Sequence, residues 1–210
     1  MNFRERLLLY IQTELTPMVI PMESFGEQIF PDSRTGITTI VPNEGYATGL
    51  RYLQLGPIET LSDPTKGTTN IIGAGSPINE LIPALYLSFD GGRNDGASDT
   101  FITHLVETLA IRIDVVLNRK IGVNDGDEIR PMTLQVSDVL ADIQKVMTQE
   151  NLGPAVHRTD DEVTLQEVYL EEWGFDQRFH GGDIEVLQMR FECAVAAPHC
   201  LLYTSPSPRD

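Results

Sequence analysis

Apolar residues recur at Phe3, Leu7, Tyr10/Ile11 and Leu15, with Arg4, Glu5, Arg6, Gln12 and Glu14 between them. Intervals of three and four residues place one apolar stripe along a helix, so a helix is predicted over residues 2–15. Asn2 followed by Glu5 has the form of a capping box, in which the Asn side chain accepts an orphan backbone N–H of the first turn. Thr16-Pro17 ends it, because the residue before a proline is driven out of the helical region.

The period then changes from helical to alternating. Leu109, Ile111, Ile113, Val115 and Leu117 alternate with Thr108, Ala110, Arg112, Asp114 and Val116. This predicts a strand over 105–117, packed on one face and wet at Arg112 and Asp114 on the other. Leu187, Met189, Phe191, Cys193 and Val195 alternate with Gln188, Arg190 and Glu192, which gives a second strand over 184–195. Residues 83–89 and 163–173 form two more, bounded by the turn-rich runs DGGRNDGASD and GFDQRFHGGD. Helical spacing returns at Val136, Val139/Leu140, Ile143 and Val146/Met147, with Gly153 as its stop, after an acidic loop NDGDE at 124–128.

Between residues 16 and 82 neither period holds. PDSRTG, PNEG, SDPTKG and GAGSP are successive turn signals, with short β-like pieces at 38–41, 50–55 and 69–72. A loop of this length within a compact domain is functional or ordered on assembly, and it reads as an extended insertion or arm. Residues 1–199 are then one α+β domain: a mainly antiparallel four-stranded sheet, two helices packed on one face, and a long loop or hairpin insertion after the first helix.

The last eleven residues, CLLYTSPSPRD, match one reading frame of an adapter used in transposon-based DNA sequencing libraries. Residues 200–210 therefore read as a non-native, disordered tail. Without Cys200 only Cys193 remains, which excludes an intramolecular disulfide. The start lacks a basic-then-apolar leader, and no apolar run reaches the roughly 20 residues that span a bilayer. A soluble protein made in a reducing cytoplasm is expected. The net charge of −16, from 31 acidic against 15 basic residues, argues against gripping a phosphate backbone, where Lys and Arg supply most of the affinity. It suits a wall past which a polyanion slides without sticking.

Catalytic constellations are not evident. His104, His157, His180 and His199 have no HExxH spacing, and His157 with Asp160, Asp161 and Glu162 reads as a solvated turn. The loop bearing Asp90, Asp95 and Asp99 matches no phosphate cradle and no EF-hand. Cys193 alternates with apolar neighbours and behaves as a small hydrophobe. Serine offers no GxSxG elbow, and Glu171 and Glu172, adjacent on a strand, point to opposite faces. No catalytic, cofactor-binding or metal residue is assigned, and the chain is not read as an enzyme.

The order of elements is familiar. MNFRERLLLYIQTEL resembles the first helix of the tail terminator, or tail completion, proteins of long-tailed bacteriophages. LIPALYLSFDGG resembles that family's proline-started strand and turn, and LAIRIDVVL its long central strand. SDVLADIQKVMTQENLG is similar to its second helix, and VYLEEWGFDQRFHGGDIEVLQMRFECAV to its closing strand pair. The resemblance implies a structural virion protein without a cofactor. Its subunits close into a ring, commonly a hexamer, that seats on the major tail tube protein, stops tube growth and meets the head-side connector.

That reading places the protein in the virion tail after synthesis in the bacterial host cytoplasm, with DNA passing through unbound and no membrane involved. Asp125, Asp127, Glu128, Glu171 and Glu172 become candidates for an acidic bore lining. Trp173 and Phe175 become candidates for the contact between subunits, since a closed ring needs one patch to meet a different one. Two alternatives stand beside it. One is another small phage component, such as a head-completion, connector or tube-like subunit. The other is an acidic metal-binding protein or metal-dependent enzyme using Asp90, Asp95, Asp99 or residues 157–162.

Overall fold

The strongest alternation in the chain forms the centre of a sheet, and the helical stripes lie against it. The structure, a computed structural model, describes residues 3–20, 38–40, 42–56, 83–94, 104–118, 121–125, 128–131, 136–157, 163–176 and 184–198. In chain order its elements begin with α1 (Phe3–Leu15), a 3-10 turn (Thr16–Met18), β1 (Thr38–Ile40), β2 (Tyr52–Leu55) and β3 (Ala84–Asn94). There follow β4 (His104–Asn118), β5 (Ile121–Asp125), β6 (Glu128–Pro131), α2 (Val136–Val146), α3 (Gln149–Val156), β7 (Thr164–Phe175) and β8 (Ile184–Pro198).

The α+β class holds, but the expected four-stranded antiparallel sheet is a five-stranded mixed one, in the order β2-β3-β4-β8-β7. The four predicted strands pair antiparallel, and β2 adds to β3 in parallel, Tyr52 opposite Ala84 through Leu55 opposite Leu87. A parallel neighbour needs a long crossover, and the chain between β2 and β3 supplies it. The β-like piece predicted at 50–55 is this strand, but four residues in a stretch dense with turn signals carry too little period to reveal its pairing.

Other pieces of the 16–82 stretch also belong to the core. Val19 bridges Leu50, with the Ile20 N–H donating to the Leu50 carbonyl at 2.8 Å, and both Ile20 and Leu50 are buried. Residues 21–37 and 57–82, including the predicted piece at 69–72, lie outside the described residues, as do Asn2 of the capping box and the 200–210 tail. A second, small sheet has the order β1-β5-β6. The acidic loop predicted at 124–128 is the closing end of its β5–β6 hairpin, with Asp125 opposite Glu128.

One core cluster joins the sheet to the helices. Leu85 and Leu87 from β3, Ile111, Ile113 and Val115 from β4 and Leu187, Met189 and Phe191 from β8 meet Leu7, Ile11 and Leu15 of α1 and Val139 and Ile143 of α2. Each such side chain, wholly removed from water, contributes about 1.5–3 kcal/mol before the entropy of ordering it is counted. Arg4 pins α1 to the sheet, its Nη2 reaching both oxygens of the buried Glu107 carboxylate at 2.6 Å.

Two local expectations change. The second predicted helix is two helices, α2 and α3, because the Thr148 side chain takes the N-cap of α3 and accepts the Asn151 N–H at 3.2 Å. Asn151 in turn donates through its amide to the Val146 carbonyl at 3.1 Å, a group orphaned where α2 ends. Gly153 stops nothing, since α3 runs on through Pro154 to Val156. The supposedly wet face of β4 is not wet either. Asp114 is fully buried, with both carboxylate oxygens 3.0 Å from Nε of Arg112.

Candidate functional site

Strand β7 is an edge of the five-stranded sheet, and its register against β8 shifts twice, between Leu165 and Glu167 and between Leu170 and Glu172. A bulge adds a residue, bends the strand and re-aims the side chains after it. Tyr169, before the second shift, lies opposite Glu192. After it, Trp173 lies opposite Met189 and Phe175 opposite Leu187, so these two rings take the face that carries the core. They extend past its cover: Trp173 is 53% exposed and Phe175 37%.

The other face of β8 carries charge. Arg190 stands directly opposite Arg112 across β4 and β8, an arrangement that repels unless it is neutralised. Carboxylates surround it. Arg190 lies 3.1 Å from Glu171, 3.6 Å from Asp90 and 3.9 Å from the buried Glu192, while Arg93 reaches Glu192 at 3.6 Å. The Tyr169 hydroxyl donates to Glu192 in a short hydrogen bond. That bond, with some desolvation and the Glu192 charge, holds the phenol above its ordinary pKa. A pocket of about 230 Å3 opens beside this network, lined by Asp90, Arg112, Glu172, Arg190 and the 173–175 segment of β7.

The structure thus gathers four sequence candidates, Glu171, Glu172, Trp173 and Phe175, on one strand edge. It does not bring the other acidic candidates to them: Asp125 and Glu128 close a hairpin in the small sheet, and Asp127 lies outside the described residues. Glu171 and Glu172 are both exposed, and Glu171 pairs with Arg190.

Of the residues considered for metal binding, Asp90 pairs with Arg190. His157 caps the end of α3, with its ring Nδ1 3.3 Å from the Val163 carbonyl. Asp95, Asp99, Asp160, Asp161 and Glu162 lie outside the described residues, among which no group of three or more His, Cys, Asp or Glu is arranged to hold a metal. Burial, with the Glu192 charge adding to it, pushes the Cys193 thiol up to about 12.

No family model matches the chain, and no curated protein matches it. A chain of one solved structure, the virion of a native gene transfer agent particle, is similar over 53% of this chain and 68% of its own. Identity there is 14% and the TM-score 0.32.

Sequence reasoning missed two features of the site region. Arg190 and Glu192 were read only as the side of β8 turned away from its apolar residues, yet Glu192 is buried among ion pairs whose members come from three strands. Gly174, a glycine between two aromatic residues inside a strand, was a visible signal, since strand glycines mark bulges or a close approach of another group. No helix among the described residues is long and apolar enough to cross a membrane.

Proposed function

We propose that the chain is a structural virion protein of a long-tailed phage, a ring-forming subunit that ends the head-proximal side of the tail tube and offers a surface to the head-side connector. The observation that carries this reading is the distribution of exposed apolar rings. Of the four large hydrophobic side chains exposed among the described residues, Trp173 and Phe175 share one face of the edge strand β7, Tyr169 lies on its other face, and the fourth is Leu9 on α1. Clustered aromatic residues at a surface are anchors for another protein, and this edge is the contact surface.

Two further considerations support the assignment. The strings in residues 1–15 and 81–195 resemble tail terminator proteins in content and order. A net charge of −16 suits a conduit whose walls must not bind the duplex they admit. The test is to add the protein to polymerising tail tubes of its own phage and image them. Tubes ending in an extra ring at one end are expected; tubes that elongate unchecked and bare would sink the reading.

A further inference from the structure

The five-stranded sheet ends in β2 on one side and β7 on the other, and among the described residues neither has a strand beyond it. Along a strand, backbone N–H and C=O groups point alternately to its two edges. The Asp176 N–H donates inward to the Val186 carbonyl and the Gly56 N–H inward to the Leu87 carbonyl, each at 2.9 Å. By that alternation Gly174 bonds inward to β8 and Gln54 inward to β3. The backbone groups of Trp173, Phe175, Leu53 and Leu55 are therefore directed out of the sheet, where an edge can take another strand.

The two edges match each other. The pairings across the sheet make β2 and β7 run in opposite directions, so a second copy added in the same orientation brings its β2 antiparallel to β7. On both strands the outward-directed residues carry their side chains on the helix-covered face, Trp173 and Phe175 with Met189 and Leu187, Leu53 and Leu55 with Leu85 and Leu87. Trp173 opposite Leu55 and Phe175 opposite Leu53 satisfies the backbone bonds and the shared face at once, with Gly174 opposite Gln54. A slip of one residue would lose both. The part of β7 beyond its second register shift is Glu172 to Phe175, and β2 is also four residues long. Among the described residues, the 18–20 segment bonds to the outer side of Leu50, which in this register lies past Phe175.

We propose that the contact between subunits is a continuation of the sheet, in which residues 172–175 of one copy pair antiparallel with residues 53–56 of the next. The exposed rings of Trp173 and Phe175 then lie beside the half-buried Leu53 and Leu55. The inference rests on reading β7 as the ring contact and adds the other half of that contact, the β2 edge. Unlike edges at opposite ends of one sheet give the head-to-tail contact that a closed ring requires, and the bulges earlier in β7 keep the pairing from spreading along the strand.

The test places one cysteine on each edge, Gly174→Cys and Gln54→Cys, in the full chain with Cys200→Ser; Cys193 is buried. A Cβ at position 174 meets nothing within 4 Å in its own subunit. Within one subunit the two positions lie at opposite ends of the sheet, about 19 Å apart at the spacing of neighbouring strands, too far for a disulfide. Across the contact they form a non-hydrogen-bonded pair with Cα atoms about 4.5 Å apart, close enough for one. Mild oxidation of the double variant, free at high concentration and after addition to tail tubes, is expected to give a ladder of linked subunits on a denaturing gel, with at least about tenfold less linkage in either single variant. A double variant that links no more than the single ones, or a Gly174→Cys variant that links to itself, overturns the inference. Imaging separates it from the ring assignment: capped tubes without linkage defeat only the β2 contact, and a ladder with bare tubes defeats only the tube-ending role.

Discussion

Asp142 and Thr48, both buried, are locked to each other across most of the domain: one carboxylate oxygen accepts the Thr48 N–H and the Thr48 hydroxyl, each at 2.8 Å. The same oxygen accepts the Ala47 N–H at 2.9 Å, and the other takes Nζ of Lys145 at 2.8 Å. Lys145 also donates to the Gly45 carbonyl at 3.0 Å. A single side chain of α2 thereby ties down the loop that leads into β2. Asp142→Ala leaves buried donors without an acceptor and is expected to lower stability by about 3 kcal/mol. Thr48→Val, which removes only the hydroxyl bond, is expected to lower it by about 1 kcal/mol. Urea denaturation measures both, and a cost for Asp142→Ala no larger than that for Thr48→Val would show that the staple holds nothing.

Trp173 and Phe175 are expected to separate stability from assembly. Both are exposed in the isolated subunit, so replacing either with Ala changes folding stability by less than about 1 kcal/mol. Removing a buried aromatic anchor at an interface costs about 2 kcal/mol or more, and capping of tail tubes by Trp173→Ala should fall accordingly. Normal capping by the double alanine variant would remove β7 from the contact surface.

Cys193 should be chemically silent while the protein is folded. Its thiol, raised from 9.0 to about 12 by burial, is neutral at pH 8, and the thiolate is the reactive form. A disulfide reagent at pH 8 is expected to modify native protein slower than urea-unfolded protein by about a hundredfold or more. The sign of the stability effect follows. The folded state holds this proton more tightly, so the contribution is complete below 9 and is lost as pH rises toward about 12. Cys193→Ala should therefore flatten part of the decline in stability over that alkaline interval, and an identical pH profile in the variant would contradict the assigned burial.

Deleting residues 200–210 is expected to leave the melting temperature unchanged within a few degrees, because a run encoded by a sequencing adapter has no evolved partner in the core. Comparative calorimetry of the 1–199 form and the full chain decides it. A larger drop would mean that the tail packs.

Alternation in β4 and β8 and the stripe of α1 could be read directly, because their apolar spacing is the local record of a single buried face. The residues read as inward on β8, from Leu187 to Val195, are buried, and Glu192 on the opposite face is buried with them. Trp173 and Phe175 were legible as exposed apolar residues beside a turn, whereas the edge strand that carries them and the bulge before them were hidden. The parallel partner β2, the burial of Asp114 and the ion network on Arg190 were equally hidden. Each depends on groups brought together from distant parts of the chain, as when Asp142 meets Thr48 at a separation of 94 residues. Periodicity reports which side of an element faces the core. Pairing, register and the match of buried charges are settled only when the elements pack, since the energy that decides them belongs to both partners at once.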